Sequence, residues 1–233
     1  MTIDPAQAQA AAFVADLRRR MLRAADPAKA PQMQAYMKTD QPFYGIQAGP
    51  RRRLFGQALK EHPLTTRQAW EMAIRQLWAA DRREAMYQAL ELAERFPIYL
   101  DETSWPLLTD LVQTATHWDT LDWIAAKLVG PVVRANRGLE RDLIAWRSSP
   151  SLWVRRASLL AHLHHGHDTN LPLLETTILA LAGDPDFFIR KAIGWVLREL
   201  ARTKPDWVRQ FVAQHAGQLS PLTRREALKH LTA

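Results

Sequence analysis

A short pattern that recurs along the chain constrains the fold more than any other feature of this sequence. Four tripeptides combine an arginine, a second charged residue and a helix-packing alanine: Arg83-Glu84-Ala85, Arg155-Arg156-Ala157, Arg190-Lys191-Ala192 and Arg225-Glu226-Ala227. Their starts differ by 72, 35 and 35 residues, so the first interval spans about two periods. Helix pairs that repeat at this length are the signature of a HEAT-like α-solenoid, in which stacked units bury a continuous core.

The spacing of apolar residues favours the same fold class. Phe13, Leu17 and Met21 recur at intervals of four, as in an amphipathic helix, and almost nothing in the chain alternates as a strand does. With 233 residues and 47% hydrophobic content, the chain is long enough for one well-cored domain or two small ones. We predict an all-α, HEAT-like α-solenoid of stacked antiparallel helix pairs. A single domain over residues 1–233 would carry a concave face, which the excess of Lys and Arg over Asp and Glu would make basic.

The charge balance narrows the choice of partner. The chain has 31 Lys and Arg residues against 24 Asp and Glu, so a polyanion such as nucleic acid is the first partner to consider. A triple arginine, Arg51-Arg52-Arg53, either faces phosphate or is solvated. The absence of cysteine excludes disulfides and thiol nucleophiles and agrees with a reducing cytoplasm. We read no export signal, and no apolar run reaches the length of about 18 residues that a membrane span needs.

Equivalent positions of successive repeats line up along one side of a solenoid, which predicts a row of functional side chains. The row comprises Glu84, Asp122, Arg156 and Lys191, and we place it on the concave face, where a long ligand would lie. Arg156 projects from the middle of the apolar side of its helix, whereas Arg155 points to solvent. A permanent charge in that position is costly unless a carboxylate holds it or a phosphate binds it. A structural ion pair and a ligand contact therefore both remain open.

A basic stripe follows on the helix of the next repeat. Lys191, Trp195, Arg198 and Arg202 share one face of that helix, separate from its apolar face. Cations for phosphate together with a ring for a sugar or base are typical of a surface that tracks a nucleic-acid backbone. A merely solvated face is the usual alternative for Lys and Arg. An exposed tryptophan among them is harder to explain in that way.

One segment combines groups that suit a cationic ligand. Thr116, three residues before Asp119, is predicted to begin a helix, because the hydroxyl and the carboxylate can each accept an amide hydrogen of the first turn. Trp118 and Asp122 then stand one turn apart on the same face. An indole face and a carboxylate both attract positive charge. The alternative interpretation is a capping box with an ordinary core tryptophan and a solvated aspartate.

Other constellations carry less chemistry. His162, His164, His165 and His167 are close in sequence, but they lack the paired spacing and the carboxylate of a recognised zinc motif. The sequence also lacks a Gly-rich phosphate loop and a serine in an elbow motif. We therefore expect neither a metal site nor another cofactor.

Several blocks of sequence, in order, resemble one protein family over nearly the whole chain. They are Tyr36-Met37-Lys38, Phe43-Tyr44-Gly45-Ile46-Gln47, Trp118-Asp119-Thr120-Leu121-Asp122, Leu152-Trp153 with Arg156-Ala157, Phe187-Phe188-Ile189-Arg190-Lys191-Ala192-Ile193-Gly194-Trp195-Val196-Leu197-Arg198-Glu199, and Arg224-Arg225-Glu226-Ala227-Leu228-Lys229-His230. These blocks resemble the AlkD-like alkylpurine DNA glycosylases, HEAT-repeat enzymes that excise purines alkylated at N3 or N7. That family also includes members with altered clefts that do not excise bases.

The resemblance implies a role for the residues singled out above. The family's catalytic aspartate falls on Asp122 and its two cleft tryptophans fall on Trp118 and Trp195. Its arginine that holds DNA phosphate beside the lesion falls on Arg156, and all four positions keep their residue types. Further DNA-binding residues are expected at Lys191, Arg198, Tyr36 and Arg52.

The implied function is that of a monofunctional DNA glycosylase, which hydrolyses the N-glycosidic bond of cationic N3- and N7-alkylpurines in duplex DNA without flipping the base. Asp122 would stabilise the oxocarbenium ion and orient water. The expected partner is double-stranded DNA that contains alkylated purines, bound by a monomer in the bacterial cytoplasm or nucleoid. Two other functions remain open: a non-catalytic HEAT-repeat protein that binds DNA damage or DNA shape, and a scaffold for acidic protein partners.

Overall fold

The structure, a computed structural model, describes residues 4–231, and no strand occurs in that range. The α-helices are α1 (Pro5–Arg23), α2 (Ala30–Met37), α3 (Ala48–Glu61), α4 (Arg67–Trp78), α5 (Arg83–Arg95), α6 (Trp105–Thr114), α7 (Trp118–Trp123), α8 (Gly130–Ala135), α9 (Glu140–Trp146), α10 (Leu152–Leu160), α11 (Leu171–Leu181), α12 (Phe187–Leu200), α13 (Pro205–Gln214) and α14 (Pro221–Ala227). A π-helical stretch, Ile124–Val129, joins α7 to α8, and short 3-10 helices cover Pro97–Tyr99, Glu102–Ser104, Arg137–Leu139 and Gly166–Asp168.

The chain forms two compact units, residues 1–99 and residues 100–233. Helices α1 to α5 belong to the first unit and α6 to α14 to the second. The prediction of one domain over residues 1–233 stays a prediction. Within residues 4–231, no helix is long and apolar enough to cross a membrane.

The helix starts reveal the repeat that the tripeptides predict. One helix of each repeat begins at Arg83, Trp118, Leu152, Phe187 and Pro221, at intervals of 34 or 35 residues. The helix that begins at Trp118 supplies the unit missing from the tripeptide series. The all-α, solenoid-type fold class is thereby confirmed.

The same local hydrogen bond precedes α10 and α12. The Oγ of Ser149 accepts a hydrogen bond from the amide of Ser151 at 3.2 Å, and the carboxylate of Asp184 accepts one from the amide of Asp186 at 2.9 Å. The same side-chain turn therefore precedes both helices. Asp186 also caps α12, because its carboxylate accepts from the amide of Phe188 at 2.7 Å.

The apolar stripe predicted for α12 forms part of the core of the second unit. Its buried members are Ile189, Ile193, Val196, Leu197 and Leu200. Complete burial of such a side chain stabilises the fold by about 1.5–3 kcal/mol. Because this stripe faces inward, the charged residues between its members are left on the other side of the helix.

Helices α12 and α14 approach each other closely at Gly194. A Cβ added at Gly194 would lie 2.5 Å from the Cβ of Glu226 and 3.0 Å from the carbonyl oxygen of Thr223. The hydroxyl of Thr223 donates to the backbone carbonyl of Arg190 at 3.0 Å across the same contact. The absence of a side chain at residue 194 thus lets the backbone of α14 come near enough to place Glu226 over α12.

Glu84 has a structural role in the first unit and does not lie on a ligand-binding row. Its carboxylate is completely buried and accepts hydrogen bonds from the amides of Tyr44 at 2.9 Å, Gly45 at 2.9 Å and Ile46 at 3.0 Å. Gly45 has a φ of 84°, and a Cβ there would lie 2.1 Å from the carbonyl oxygen of Asp26. The predicted placement of Glu84 on a concave face is therefore wrong, because its oxygens satisfy the amides of a buried loop.

Candidate active site

The segment that precedes Asp122 begins its helix later than the sequence predicts. Helix α7 starts at Trp118, and the residue that caps it is His117, whose side chain makes no capping hydrogen bond. The prediction that Thr116 begins the helix is wrong. The carboxylate of Asp119 contacts the ring of His117, whose Nδ1 lies 3.2 Å from one of its oxygens.

Trp118 and Asp122 occupy one face of α7, as predicted, with different exposures. Trp118 is 36% exposed, whereas the Asp122 side chain is mostly buried. The helix widens into its π-helical stretch two residues after Asp122, and such stretches are frequent at functional sites. This arrangement presents an accessible indole next to a carboxylate that lies deeper in the protein.

Arg156 binds both oxygens of the Asp122 carboxylate through one edge of its guanidinium. Its Nε donates to one oxygen of Asp122 at 2.7 Å and its Nη2 donates to the other at 2.8 Å. Its Nη1 donates to the backbone carbonyl of Phe188, and the whole residue is only 4% exposed. Of the two partners that the sequence leaves open for Arg156, the structure shows the carboxylate, and a contact with DNA phosphate stays a prediction.

Asp122 and Arg156 are consecutive members of the predicted row, and Lys191, its last member, pairs with a residue that the row does not include. Lys191 contacts Glu226, the middle residue of the next tripeptide, at 2.6 Å. Asp122 and Arg156 therefore lie side by side within the second unit, and the pair of Lys191 with Glu226 has a similar spacing of 35 residues.

The environment of Asp122 acts on its ionisation in two directions. Burial raises the pKa of the Asp122 carboxyl above its ordinary value, and the Arg156 guanidinium opposes part of that rise. The nearby carboxylate of Asp119 adds to the rise in the pKa of Asp122. The result is a carboxylate whose charge depends on Arg156.

An aromatic cluster runs along the first turns of three successive repeat helices. It consists of Trp118, His117, Trp153, Phe188 and Phe187. The centroid distances between neighbouring rings are 6.0, 6.1, 5.1 and 5.5 Å in that order. Because each ring stands at or next to a helix start, these contacts place the N-termini of α7, α10 and α12 next to one another.

Phe187 is a surface residue that the sequence reasoning did not select. It is 53% exposed at the start of α12. At 100° per residue it falls on the same helical face as Lys191 and Arg198. The signal that could have found it was available, since an aromatic four residues before Lys191 extends the basic stripe by one turn.

Trp195 lies on α12 two turns after Phe188 and is half-buried. Residues seven positions apart share a helix face, so Trp195 stands on the side of α12 from which Phe188 contacts Trp153 and Arg156. Trp195 therefore lies on the same side of α12 as Phe188, a member of the aromatic cluster.

The cations of the predicted basic stripe are paired with carboxylates. Glu226 binds Lys191 with one oxygen and Arg198 with the other, each at 2.6 Å, and we name these three residues the Glu226 clamp. Arg202 lies 3.3 Å from Glu199. The ammonium of Lys191, with help from Arg198, lowers the pKa of Glu226 below its ordinary value. The clamp fixes two cations at the same surface, two turns apart.

Tyr36 and Arg52, the two remaining predicted DNA contacts, belong to the first unit. Tyr36 is 81% exposed on α2, and Arg52 is exposed on α3. The triple arginine does not act as one cluster, because Arg51 is buried with its guanidinium 4.6 Å from the centre of the Tyr87 ring. Arg52 and Arg53 alone remain available at the surface.

The histidine tract divides into buried and exposed members. His162 and His165 are buried with their rings 5.4 Å apart, whereas His164 and His167 are exposed. Both ring nitrogens of His162 lack a hydrogen-bond partner within the described residues. Burial lowers the pKa of His162 to about 3. His162 is therefore neutral near pH 7.

One group of residues in the first unit has the spacing of a metal site. The ligand atoms of Asp16, Glu61 and His62 lie within 4.8 Å of one another. Arginines already occupy these carboxylates, since Arg20 binds Asp16 at 2.6 Å and Glu61 at 2.7 Å, and Arg19 also binds Asp16. A metal ion would have to displace a guanidinium that neutralises the same charges.

Comparisons with known proteins bear on this arrangement. A family model described as DNA alkylation repair enzyme matches residues 17–231 of the chain. A solved structure, that of a predicted DNA alkylation repair enzyme from Enterococcus faecalis, is similar with a TM-score of 0.80 and 31% sequence identity. The similarity covers 89% of this chain and 97% of that one. A search of curated proteins finds no match.

Proposed function

Because the chain belongs to the DNA alkylation repair enzyme family, we propose that it is a monofunctional DNA glycosylase that acts on cationic N3- and N7-alkylpurines in duplex DNA. The observation that carries the proposal is the Asp122 carboxylate, held at two points by Arg156 beside the accessible ring of Trp118. This combination of a fixed negative charge and an indole suits a cation that forms during a reaction.

The chemistry of the substrate assigns the main task to Asp122. An alkylated purine already carries positive charge, so it leaves without protonation by a general acid. Positive charge then develops on the deoxyribose as the glycosidic bond breaks. A carboxylate about 4 Å from a unit positive charge gains roughly 4 kcal/mol at an effective dielectric near 20, which is about a thousandfold in rate. Asp122 also orients the water molecule that attacks the sugar.

Arg156 can position Asp122 and contact DNA at the same time. A guanidinium has five N–H donors. Three of those of Arg156 go to Asp122 and to the carbonyl of Phe188. In the proposal, the other N–H groups of Arg156 bind a phosphate oxygen beside the lesion, an interaction that suits arginine. In this proposal Arg156 keeps the Asp122 carboxylate ionised and aligned while it fixes the backbone beside the lesion.

The aromatic and basic residues supply the DNA contacts in this proposal. Trp118 and Trp195 hold the sugar and the cationic nucleotide. Lys191 and Arg198 contact the backbone from α12, and Tyr36 and Arg52 add contacts from the first unit. Contacts of this kind act on the backbone without enclosing the base, so bulky alkyl groups would be tolerated.

The proposed reaction is hydrolysis without a Schiff base. A lyase would need a neutral lysine at the reacting carbon. Lys191, the lysine of the basic stripe, is bound to the carboxylate of Glu226 at 2.6 Å, so an attack on the sugar carbon would have to break that contact. The protein would act as a monomer in the bacterial cytoplasm, on double-stranded DNA.

The test is release of free base from duplex DNA that carries N7-methylguanine or N3-methyladenine. Wild type is compared with Asp122→Asn at DNA concentrations that saturate both proteins, so that a difference in affinity does not enter. We expect Asp122→Asn to bind DNA but to release base about a thousandfold more slowly. Equal release by the two proteins would exclude Asp122 as the catalytic group.

A non-catalytic protein that binds damaged DNA is the second candidate, and one observation favours it. Arg156 neutralises both oxygens of Asp122, which weakens the field that an oxocarbenium ion would experience. The same assay separates the candidates, because a binding protein would retain affinity for the lesion and release no base. A scaffold for acidic proteins would show neither lesion-dependent binding nor the steep salt dependence of DNA affinity.

A further inference from the structure

A groove lies between α13 and α14, on helices that the proposed DNA chemistry does not use. It has a volume of about 710 Å³ and is lined by one face of each helix. On α13 the lining residues Arg209, Val212 and Ala213 are followed by Ala216 in the next turn, at relative positions 0, 3, 4 and 7. That spacing marks a single continuous helical face.

The second wall of the groove repeats the same spacing on α14. Pro221, Arg224 and Arg225, followed by Leu228 just beyond the end of the helix, lie at relative positions 0, 3, 4 and 7. Glu226, which contacts α12, lies on a different side of α14 by helical angle. The groove and the Glu226 clamp are therefore separate surfaces of one helix.

The floor of the groove is apolar, whereas its margins are cationic. Val212, Ala213 and Leu228 contribute apolar surface, and the alanine permits close approach of another backbone. Arg209 stands on the α13 side, paired with Asp206 at 2.8 Å. On the α14 side, Arg225 is exposed and forms no ion pair with any residue that the structure describes.

Arg224 has an unsatisfied donor in the same place. Its Nε is buried and lacks a hydrogen-bond partner within residues 4–231. A buried guanidinium N–H without an acceptor costs free energy, and a carboxylate oxygen would satisfy it. Arg224 and Arg225 together make the α14 side of the groove cationic.

We propose that this groove binds an acidic amphipathic helix of a partner protein. Two parallel apolar faces with a hollow between them fit a third helix, whose side chains at the same spacing would enter the hollow. Glu and Asp residues flanking the apolar stripe of that helix would pair with Arg224 and Arg225. The seven-residue faces are about 10 Å long, so they contact two turns of the partner.

The apolar floor distinguishes this partner from duplex DNA. The sugar–phosphate backbone of DNA is mostly polar and charged, so DNA would bury little of the apolar surface that Ala213 and Leu228 contribute. A single anionic headgroup would meet only one margin, whereas cations stand on both helices. A helix with carboxylates along both sides of an apolar stripe satisfies the floor and the margins together.

The experiment is selection of binders from a display library of helices of about 14 residues, with randomised charges around an apolar stripe. The enriched helices are then titrated against wild type, Ala213→Glu and Arg225→Glu. We expect the enriched helices to be acidic, and we expect each substitution to weaken their binding at least about tenfold. Ala213 and Arg225 are both exposed, so the substitutions leave the core intact.

The matched control is Arg141→Glu, which makes the same change of charge at a site outside the groove. The Arg141 side chain is 82% exposed on α9. Arg141→Glu should leave the affinity of the enriched helices unchanged within about twofold, and Ala213→Glu should leave the affinity for undamaged duplex DNA unchanged within the same limit. Enrichment of basic or uncharged helices, or an equal loss of affinity in Arg141→Glu, would overturn the proposal.

Discussion

Two carboxylates of the second unit bind cations in contrasting ways. Asp122 faces one guanidinium, that of Arg156, which is almost completely buried. Glu226 faces two cations, Lys191 and Arg198, and both of these are partly open to solvent. Burial raises the pKa of Asp122 despite its partner, whereas the ammonium of Lys191 lowers the pKa of Glu226.

The comparison teaches how one repeated position serves two tasks. Both carboxylates bind a cation 34 or 35 residues away, at equivalent points of the solenoid. Desolvation dominates at Asp122, so burial disfavours the charged form of this carboxyl. Ion pairing dominates at Glu226, so its charged form is favoured and holds Lys191 and Arg198 in place.

The largest expected effect is on base release, which should depend on Asp122 far more than on Glu226. Asp122→Asn should slow base release about a thousandfold, whereas Glu226→Gln should change it by less than about tenfold, because Glu226 touches no reacting atom in the proposal. The measurement is single-turnover base release at saturating protein. If Glu226→Gln slows base release as much as Asp122→Asn does, the Glu226 clamp takes part in the reaction and the two carboxylates do not differ in function.

The second prediction concerns what Arg156 contributes to stability. Arg156→Leu should lower the free energy of unfolding by about 3–5 kcal/mol, because it leaves the Asp122 carboxylate buried without its partner. Urea denaturation measures the change. The double variant Asp122→Leu with Arg156→Leu is the control, and it should be more stable than Arg156→Leu alone. Simple additivity of the two changes would show that the pair contributes no coupling energy.

The sequence predicts the helices that carry Asp122 and Glu226, but it does not predict all of the contacts between those helices. The helix period and the buried stripe of α12 follow from local spacing, and both are confirmed. The need of Arg156 for a carboxylate also follows from its apolar surroundings. The identity of that carboxylate does not, because it depends on how two helices 34 residues apart come together.

Glu84 shows where pattern matching misleads. It occupies the same place in its tripeptide as Glu226 does. The amides of Tyr44, Gly45 and Ile46 turn it into a buried structural residue. Those amides belong to a loop about 40 positions earlier in the chain, and no local rule of the repeat encodes that contact. By contrast, the family resemblance over separate blocks is confirmed as membership of a DNA alkylation repair family, because it depends on sequence alone.

His162 provides a third environment, in which burial dominates and the ring nitrogens have no hydrogen-bond partner among the described residues. The unfolded chain binds a proton at His162 near pH 6.5, but the folded chain does so only near pH 3. Stability should therefore fall as the pH falls through that window, by up to about 1.4 kcal/mol per pH unit from this group.

Replacing His162 tests that assignment. His162→Leu should flatten the pH dependence of the free energy of unfolding between about pH 6 and pH 4, measured by urea denaturation. His165 would retain part of the slope, since burial lowers its pKa as well. The control is His164→Leu, a change at an exposed ring in the same tract. An unchanged slope in His162→Leu would show that the ring reaches solvent.

The smallest expected effect is the most direct test of the contrast between Asp122 and Glu226. The folded pKa of Asp122 lies above its unfolded value of about 3.9, so the folded state binds more protons and stability due to this group falls as the pH rises between the two values. The folded pKa of Glu226 lies below its unfolded value of about 4.3, so its contribution is present above that pH and is lost as the pH falls through the folded pKa.

The two variants should therefore change the pH profile of stability in opposite directions. Subtracting the Asp122→Asn profile from that of wild type should give a difference that decreases as the pH rises from about 4, whereas the Glu226→Gln difference should increase with pH up to about 4.3. Urea denaturation of the three proteins in one buffer series provides both differences, and titrations of other groups cancel in them. If both differences increase with pH, ion pairing governs Asp122 as it governs Glu226, and Arg156 outweighs the burial of the Asp122 carboxylate.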